Sequence, residues 1–503
     1  MTFRTLARLA PLLGLVVAMP AAAQDDGGAR GAASITEADV ARRIGIIAHD
    51  SMGGRSTPSR GLDLTASWIA AEFARLGLKP GGDSGRFEQR YPLTRIAVDT
   101  ARSGATLVGS GKKVMLPASR DLFYASGPRS DRWIEGPVVL MAAPTVETSA
   151  SAPVEGKVIV VVGAVRSPGG SIVRALQPAL DRKPAAVLIV STLDSATFAR
   201  QVANQVAERV SLGAGPNTPL IVMVRESAVA GVLQAAGVSV SAMRQVASPV
   251  TRDLPVTVSV RVQDRPGAGQ DAPNVVGILP GSDPVLRNEY VVFSAHMDHV
   301  GTDATAGADT IFNGADDDAS GTAGIVELAE AFAQPGARPR RSLIFLTVSG
   351  EERGLWGSDY FTSHPPVPTE QMVANFNIDM IGRNWKDTIV AIGKEHSDLG
   401  STLNTVNGAH PELGMTAIDD PWPQENFYMR SDHYHFARRG VPVLFFFNGT
   451  HADYHEPGDS PDRIDSEKEA RILRLVYWLG REVGNRDVRP QWNEAMRKKV
   501  TGR

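Results

Sequence analysis

The hydrophobic pattern is clearest from Asn274 onward. Short runs that are apolar at successive positions, Tyr290 to Ala295, Ser342 to Ser349, Ala374 to Ile378 and Val441 to Phe447, alternate with stretches of helical period such as Ala319 to Phe332 and Ser466 to Leu479. Ser466 and Glu469 have the spacing of a capping box at the start of the last helix. Strands apolar on both faces and separated by helices predict an α/β fold, a mostly parallel sheet covered by helices on both sides. Upstream, a helix is expected from Thr36, with Asp39 three residues on as its cap partner. A Gly/Ser/Arg-rich loop follows over Asp50 to Gly61. A second helix is expected over Asp63 to Leu76, with Leu64, Trp68, Ile69 and Phe73 near helical spacing and Gly77 as its stop. Phe87 to Val98 reads as extended, and the Gly/Ala-rich stretch Gln24 to Ser34 as a flexible leader.

Between about Asp121 and Val250 the texture changes. Short β-branched runs (Val138 to Met141, Val158 to Val162, Ala186 to Val190, Leu220 to Val224) alternate with Ala-rich helical stretches such as Ser195 to Val210. None of the ten histidines of the chain falls in this segment. A stretch with its own core pattern and no metal-type ligand reads as an inserted, non-catalytic domain. The expected organisation is therefore a leader over 1–23, the N-terminal part of a main domain over 24–120, an insertion over 121–262, and the rest of the main domain over 263–503. No internal repeat is present.

Composition narrows the function. Lys and Arg number 52 against 55 Asp and Glu, a formal charge of −3, so there is no basic excess to support nucleic-acid or anionic-membrane binding. With no cysteine, disulfides and thiolate zinc sites are excluded, and a metal must be held by His, Asp and Glu. The first 23 residues have the form of a secretory signal: Arg4 and Arg8, an apolar stretch from Leu9 to Met19, then Ala21-Ala22-Ala23 before Gln24. That run is shorter than the roughly 20 residues needed to span a bilayer. No later stretch is long enough to do so, and the mature protein is expected to be secreted or periplasmic.

In an open α/β sheet, ligands bind beyond the carboxyl ends of the strands. Here those positions carry His296 and Asp298, Glu351 and Glu352, Asp379, and a loop with His451, Asp453 and His455, while Asp316, Asp317 and Asp318 precede a helix. Collecting so many acids without cations raises their pKa values and costs several kcal/mol. A pair of divalent metal ions answers that cost, and a mixed imidazole and carboxylate set suits zinc, with manganese or cobalt as substitutes. No H-E-x-x-H, G-x-S-x-G or P-loop pattern is present to support a single-zinc protease, a serine hydrolase or an NTPase.

The strings AHMDH (Ala295 to His299), NGADDDASG (Asn313 to Gly321), SGEERGLWGS (Ser349 to Ser358), NIDMIGR (Asn377 to Arg383), SDH (Ser431 to His433) and DYHEPGD (Asp453 to Asp459) resemble the co-catalytic zinc exopeptidases of metallopeptidase family 28. Gly53-Gly54-Arg55 and Gly77 to Gly81 resemble that family's leading segment, and Gly156-Lys157 before a Val/Ile strand resembles its inserted protease-associated domain. The resemblance implies a zinc-exopeptidase-like fold and two Zn2+ ions. His296 and Asp379 would serve one ion, Glu352 and His455 the other, and Asp317 would bridge them. Asp298 would orient His296, Glu351 would be the general base for a zinc-bridged hydroxide, and Tyr428 would stabilise the oxyanion. The implied activity is that of an aminopeptidase acting on peptides with a free N-terminus. A carboxypeptidase or dipeptidase of the same superfamily would instead need cations for a C-terminal carboxylate, for which Arg430, Arg438 and Arg439 are candidates. A non-enzymatic receptor would have lost ligands or base, and none is missing. His299, His433, His435 and His451 flank the expected site, whereas His49, His364, His396 and His410 read as surface or capping residues. Met297 and Asp318 depart from residues common in the family, and neither is an expected ligand. Oligomeric state is not encoded in any of these patterns.

Overall fold

The computed structural model describes residues 26–163, 172–212 and 219–502. The expected signal segment 1–23 lies outside them. The described residues divide into two units: the described parts of Met1–Arg55, Leu64–Glu88 and Val275–Arg503 form one, and Ser56–Asp63 with the described parts of Gln89–Asn274 form the other.

The first unit is built on a mixed sheet. Its strands are β1 (Asp264–Leu279, whose residues from Val275 on belong to this unit), β2 (Tyr290–His296), β3 (Ser342–Val348), β4 (Met372–Ile378), β5 (Thr388–Ile392), β6 (Thr416–Ile418) and β7 (Val443–Phe446). They lie in the order β6-β5-β7-β4-β2-β3-β1. The central four, β7, β4, β2 and β3, are parallel, while β1 runs antiparallel to β3, β5 runs antiparallel to β7, and β6 pairs parallel with β5. Alternation along these buried strands splits the core into two faces. Phe293 stacks on Phe345 at 5.5 Å and meets Phe332 of the helix α1 (Gly321–Ala333), which in turn packs on Tyr477 of α2 (Ser466–Asn485). On the opposite face Val292, Ile344 and Leu346 pack with Phe361 and Phe436, which belong to the short helices Trp356–Ser363 and His433–Arg438. Both faces are therefore covered, and the four parallel strands end along one edge.

Two local expectations change. Gln24 to Ser34 does not read out as a flexible leader: Asp26–Ser34 is a helix. Its glycines serve close approach, since a Cβ on Gly31 would stand 2.1 Å from the Tyr477 hydroxyl and one on Gly27 would stand 2.2 Å from the Gly336 carbonyl oxygen. The cap of α2 is Asp465, whose side chain accepts from the Lys468 N–H at 3.1 Å, so Ser466 is the first helical residue and Glu469 is buried rather than closing a capping box. The helix at Glu37–Ile47 does start as expected, with Thr36 accepting from the Asp39 N–H.

The second unit contains the described residues of 121–262. Four parallel strands, Ile134–Ala142, Val158–Val162, Ala186–Val190 and Leu220–Val224, form the middle of an eight-stranded sheet with antiparallel strands at both sides. Their strict alternation sends Val138, Leu140, Val160 and Leu188 to one core and Val139, Met141, Ile159 and Val187 to another. Among the described residues no helix is long and apolar enough to cross a membrane.

Candidate metal centre

The carboxyl-terminal edge of the first unit's sheet is where the chemistry collects. His296 is the last residue of β2; its backbone carbonyl accepts from the Thr322 hydroxyl at 2.7 Å, and its ring Nδ1 faces the Asp298 carbonyl at 3.2 Å. The acidic loop before α1 depends on Gly314, which adopts φ +57° and where a Cβ would stand 2.3 Å from the Asp317 carbonyl oxygen. Asp459 accepts the N–H groups of both Asp316 and Asp317 at 3.0 Å, tying this loop to the one that carries His455. Arg55 adds a third tie. It is buried and donates to the carbonyls of Met297 at 2.9 Å and Gly314 at 2.9 Å, so the Gly53-Gly54-Arg55 string clamps the two ligand loops together.

Asp317 sits at the centre, with one oxygen toward each of two groups. Its Oδ1 is 3.2 Å from His296 Nε2, which is 3.6 Å from Asp379 Oδ1. Its Oδ2 is 3.1 Å from His455 Nε2, which is 3.1 Å from Glu352 Oε2. All five expected ligands converge. His299 joins the second group, its Nδ1 3.0 Å from Glu352 Oε1 and 3.5 Å from Asp317 Oδ2, an approach that its place in the sequence, one residue past Asp298, did not mark. Asp318 lies within reach of His296 and Asp379, but its carboxylate already accepts the N–H groups of Gly321, Met380 and His296 and acts as an anchor. Asp379 is steadied by the Ser431 hydroxyl, which donates to its Oδ2 at 2.9 Å and accepts from Asn377.

This set fits a pair of zinc ions. The donors are imidazoles and carboxylates, in two groups that share one carboxylate. Asp317 Oδ2, Glu352 Oε1, His455 Nε2 and both His299 nitrogens are buried with no hydrogen-bond partner among the described residues. Unpaired buried polar atoms are costly, and cations would satisfy these.

Charge follows from the same contacts. Burial pulls the His455 imidazole down, but the Asp317 and Glu352 carboxylates facing it outweigh this and hold it up at about 10. His296 is likewise raised despite burial, by Asp379, Asp298 and Asp317. Both imidazoles therefore carry protons in the metal-free protein at neutral pH, and a metal ion must displace them. Zinc uptake at pH 7 is expected to release more than one proton, seen by calorimetry in buffers of different ionisation heat. Apparent affinity should weaken as pH falls, by about tenfold per unit for each proton displaced.

Glu351 stands beside the cluster. Its backbone N–H donates to Asp298 Oδ1 at 3.2 Å, and its side chain lines the same pocket as His296, Asp317 and Asp379. Burial pushes its carboxyl well above the ordinary range, and Asp432, Glu352 and Asp379 add to this against His296. The rest of the pocket wall is Met380, Phe427, Arg430, Ser431, Phe445, Phe447, Thr450 and Tyr454.

Tyr428, expected from the sequence at the oxyanion, is not part of that wall. Its ring packs against His396 at 4.1 Å and His433 at 5.3 Å, within the apolar layer under the site. The phenol at the pocket belongs to Tyr454, whose ring stacks on His455 at 3.9 Å. Burial raises that phenol, as do Asp317, Glu352, Asp379 and Glu351. Arg438 and Arg439 also lie elsewhere, around a separate cavity of about 430 Å3 with Asp359, Glu370 and Arg497, so Arg430 alone of the three reaches the metal pocket. His433 is buried and stacks on Phe445, while His451 reaches Asp316 at 3.2 Å.

Comparison with known proteins places this geometry. Residues 274–479 match the family model described as Peptidase family M28. The chain is 31% identical over 189 residues to leupeptin-inactivating enzyme 1 of Streptomyces exfoliatus, covering 37% of this chain and 38% of that protein. It is 28% identical over 220 residues to a probable leucine aminopeptidase of Arthroderma otae, covering 42% of this chain and 57% of that protein. The chain thus spans from about two fifths to just over half the length of these curated relatives. Among solved structures, the aminopeptidase from Aneurinibacillus sp. strain AM-1 aligns with a TM-score of 0.52 at 18% identity, covering 91% of this chain and 96% of that one, which shows a shared fold.

Proposed function

We propose, from the premise that residues 274–479 form a Peptidase family M28 domain, that this chain is a two-zinc aminopeptidase acting on peptides outside the cytoplasm. The observation that carries the reading is Asp317, which offers one carboxylate oxygen to each of two imidazole–carboxylate groups. His296, Asp379 and Asp317 would hold one ion; His455, Glu352 and Asp317 the other, with His299 beside it. When bound, the pair supplies Lewis acidity for the scissile carbonyl and lowers the pKa of water toward neutrality.

The chain's own residues do the rest. Glu351, on the wall of the same pocket as His296, Asp317 and Asp379, takes a proton from the attacking water and passes it to the leaving amine. Asp298 fixes Glu351 by accepting its N–H, and it also faces the His296 ring, so one carboxylate orients both base and ligand. Tyr454, stacked on His455 and on the pocket wall, is the phenol in place to donate to the developing oxyanion, the role expected of Tyr428 from the sequence. Met380, Phe427, Phe445 and Phe447 give the pocket an apolar wall, which favours an apolar side chain on the residue removed.

Digestion of a peptide library, read by mass spectrometry, tests this. Peptides with a free N-terminus are expected to lose N-terminal residues, N-acetylated ones to stay intact, and a chelator to stop the reaction. Trimming of acetylated peptides from the C-terminus would overturn the aminopeptidase assignment in favour of a carboxypeptidase.

A further inference from the structure

Among the described residues Arg430 is the one arginine or lysine on the wall of this pocket, beside metal-type ligands, Glu351, Met380, Ser431, Thr450 and four aromatic rings. Its guanidinium lies over the Phe427 ring at 4.7 Å, which holds a long side chain in place. Its nearest carboxylate is Glu425 at 3.5 Å, and these two side chains are 49% and 60% exposed. An exposed pair of this kind contributes little, so Glu425 is readily replaced as a partner. Among the described residues the guanidinium makes no hydrogen bond, which leaves its planar fork of donors available at the pocket.

That fork has a purpose only if the ligand brings an anion. The apolar wall takes a side chain, and the amine belongs at the metal end. On this wall the guanidinium is the side chain able to pair bidentately with a carboxylate. We propose that Arg430 receives a carboxylate carried by the residue just after the scissile bond, so that dipeptides with a free C-terminus are preferred substrates. The proposal rests on the aminopeptidase reading for its direction along the peptide. The same carboxylate chemistry could come from the dipeptide's C-terminus or from an Asp or Glu side chain at the second position.

Binding to the zinc-loaded Glu351→Gln protein, measured by calorimetry, separates the cases without turnover. Leu-Ala is expected to bind about tenfold more tightly than Leu-Ala-amide. Arg430→Gln in the same background should remove that difference while leaving the amide's affinity unchanged, and Arg430→Lys should keep part of it. Leu-Asp-amide binding tightly through Arg430 would add the side-chain source; weak binding would confine recognition to the C-terminus. In the active enzyme the corresponding change should be a raised KM for Leu-Ala with kcat retained. No preference for the free carboxylate, a preference that survives Arg430→Gln, or an equal loss for all three peptides would overturn the assignment. If N-acetyl-Leu-Ala binds as well as Leu-Ala while the carboxylate preference persists, the aminopeptidase reading fails and the role of Arg430 stands.

Discussion

The Glu351→Gln protein is expected to lose about two to four orders of magnitude in kcat while its zinc content and thermal unfolding stay at wild-type levels. The expectation comes from position. Glu351 shares the pocket with His296, Asp317 and Asp379 but belongs to neither group of close ligand atoms, so the amide should leave both ions in place. Gln has nearly the same volume, and the anchor that orients the residue is its backbone N–H on Asp298 Oδ1, which the substitution does not touch. What disappears is the ability to accept a proton from water and return it to the amine. Steady-state kinetics with metal analysis of the same preparation checks this: kcat close to wild type would remove Glu351 as the base, and lost zinc would make it a ligand.

Much of this centre was legible in the sequence because strand ends are legible. An apolar run such as Tyr290 to Ala295 must stop where the chain leaves the sheet, and the polar residues just past it are forced to the same edge as those past Ser342 to Ser349 and Ala374 to Ile378. Parallel pairing of β2, β3 and β4 gathers His296, Glu351, Glu352 and Asp379 at that edge, whereas the assignment of ligands, with Asp317 and His455 from loops, came from the resemblance of the motifs. What sequence pattern missed lies in loops and in close packing. Tyr454 precedes His455 and shares its loop, yet only backbone geometry, with His455 at φ +57°, decides that its ring returns onto the imidazole. Tyr428 sits three residues before Ser431, but the 3-10 turn Phe427–Met429 presents Phe427 to the pocket and turns Tyr428 toward His396. Arg55 lies more than 240 positions before Met297 in contact order, and no periodicity links a loop arginine to carbonyls that far along the chain. The glycines of Asp26–Ser34 failed for a related reason: composition marks freedom in an isolated chain, whereas here the missing Cβ atoms let a helix approach Tyr477 and Gly336.

Asp317→Asn is expected to abolish activity and to cost the protein both ions, not one. Asp379 approaches only His296 of the first group, and Glu352 only His455 and His299 of the second, so Asp379→Asn or Glu352→Gln should weaken mainly one site. Asp317 alone places Oδ1 against one group and Oδ2 against the other. Asparagine keeps one acceptor oxygen, replaces the second with an amide NH2 that only donates and does not ligate, and removes the negative charge that offsets two cations. Titration of the metal-free variant with zinc should show both binding steps weakened, and the rise in unfolding temperature that zinc gives the wild type should shrink accordingly. Asp318→Asn provides the contrast. Its carboxylate is occupied by the N–H groups of Gly321, Met380 and His296, so its loss should lower the stability of the metal-free fold while wild-type zinc stoichiometry is retained at saturating metal. Two full zinc equivalents bound by Asp317→Asn with wild-type affinity would show that the shared carboxylate does not bridge, and the two-metal assignment would have to be rebuilt around separate sites.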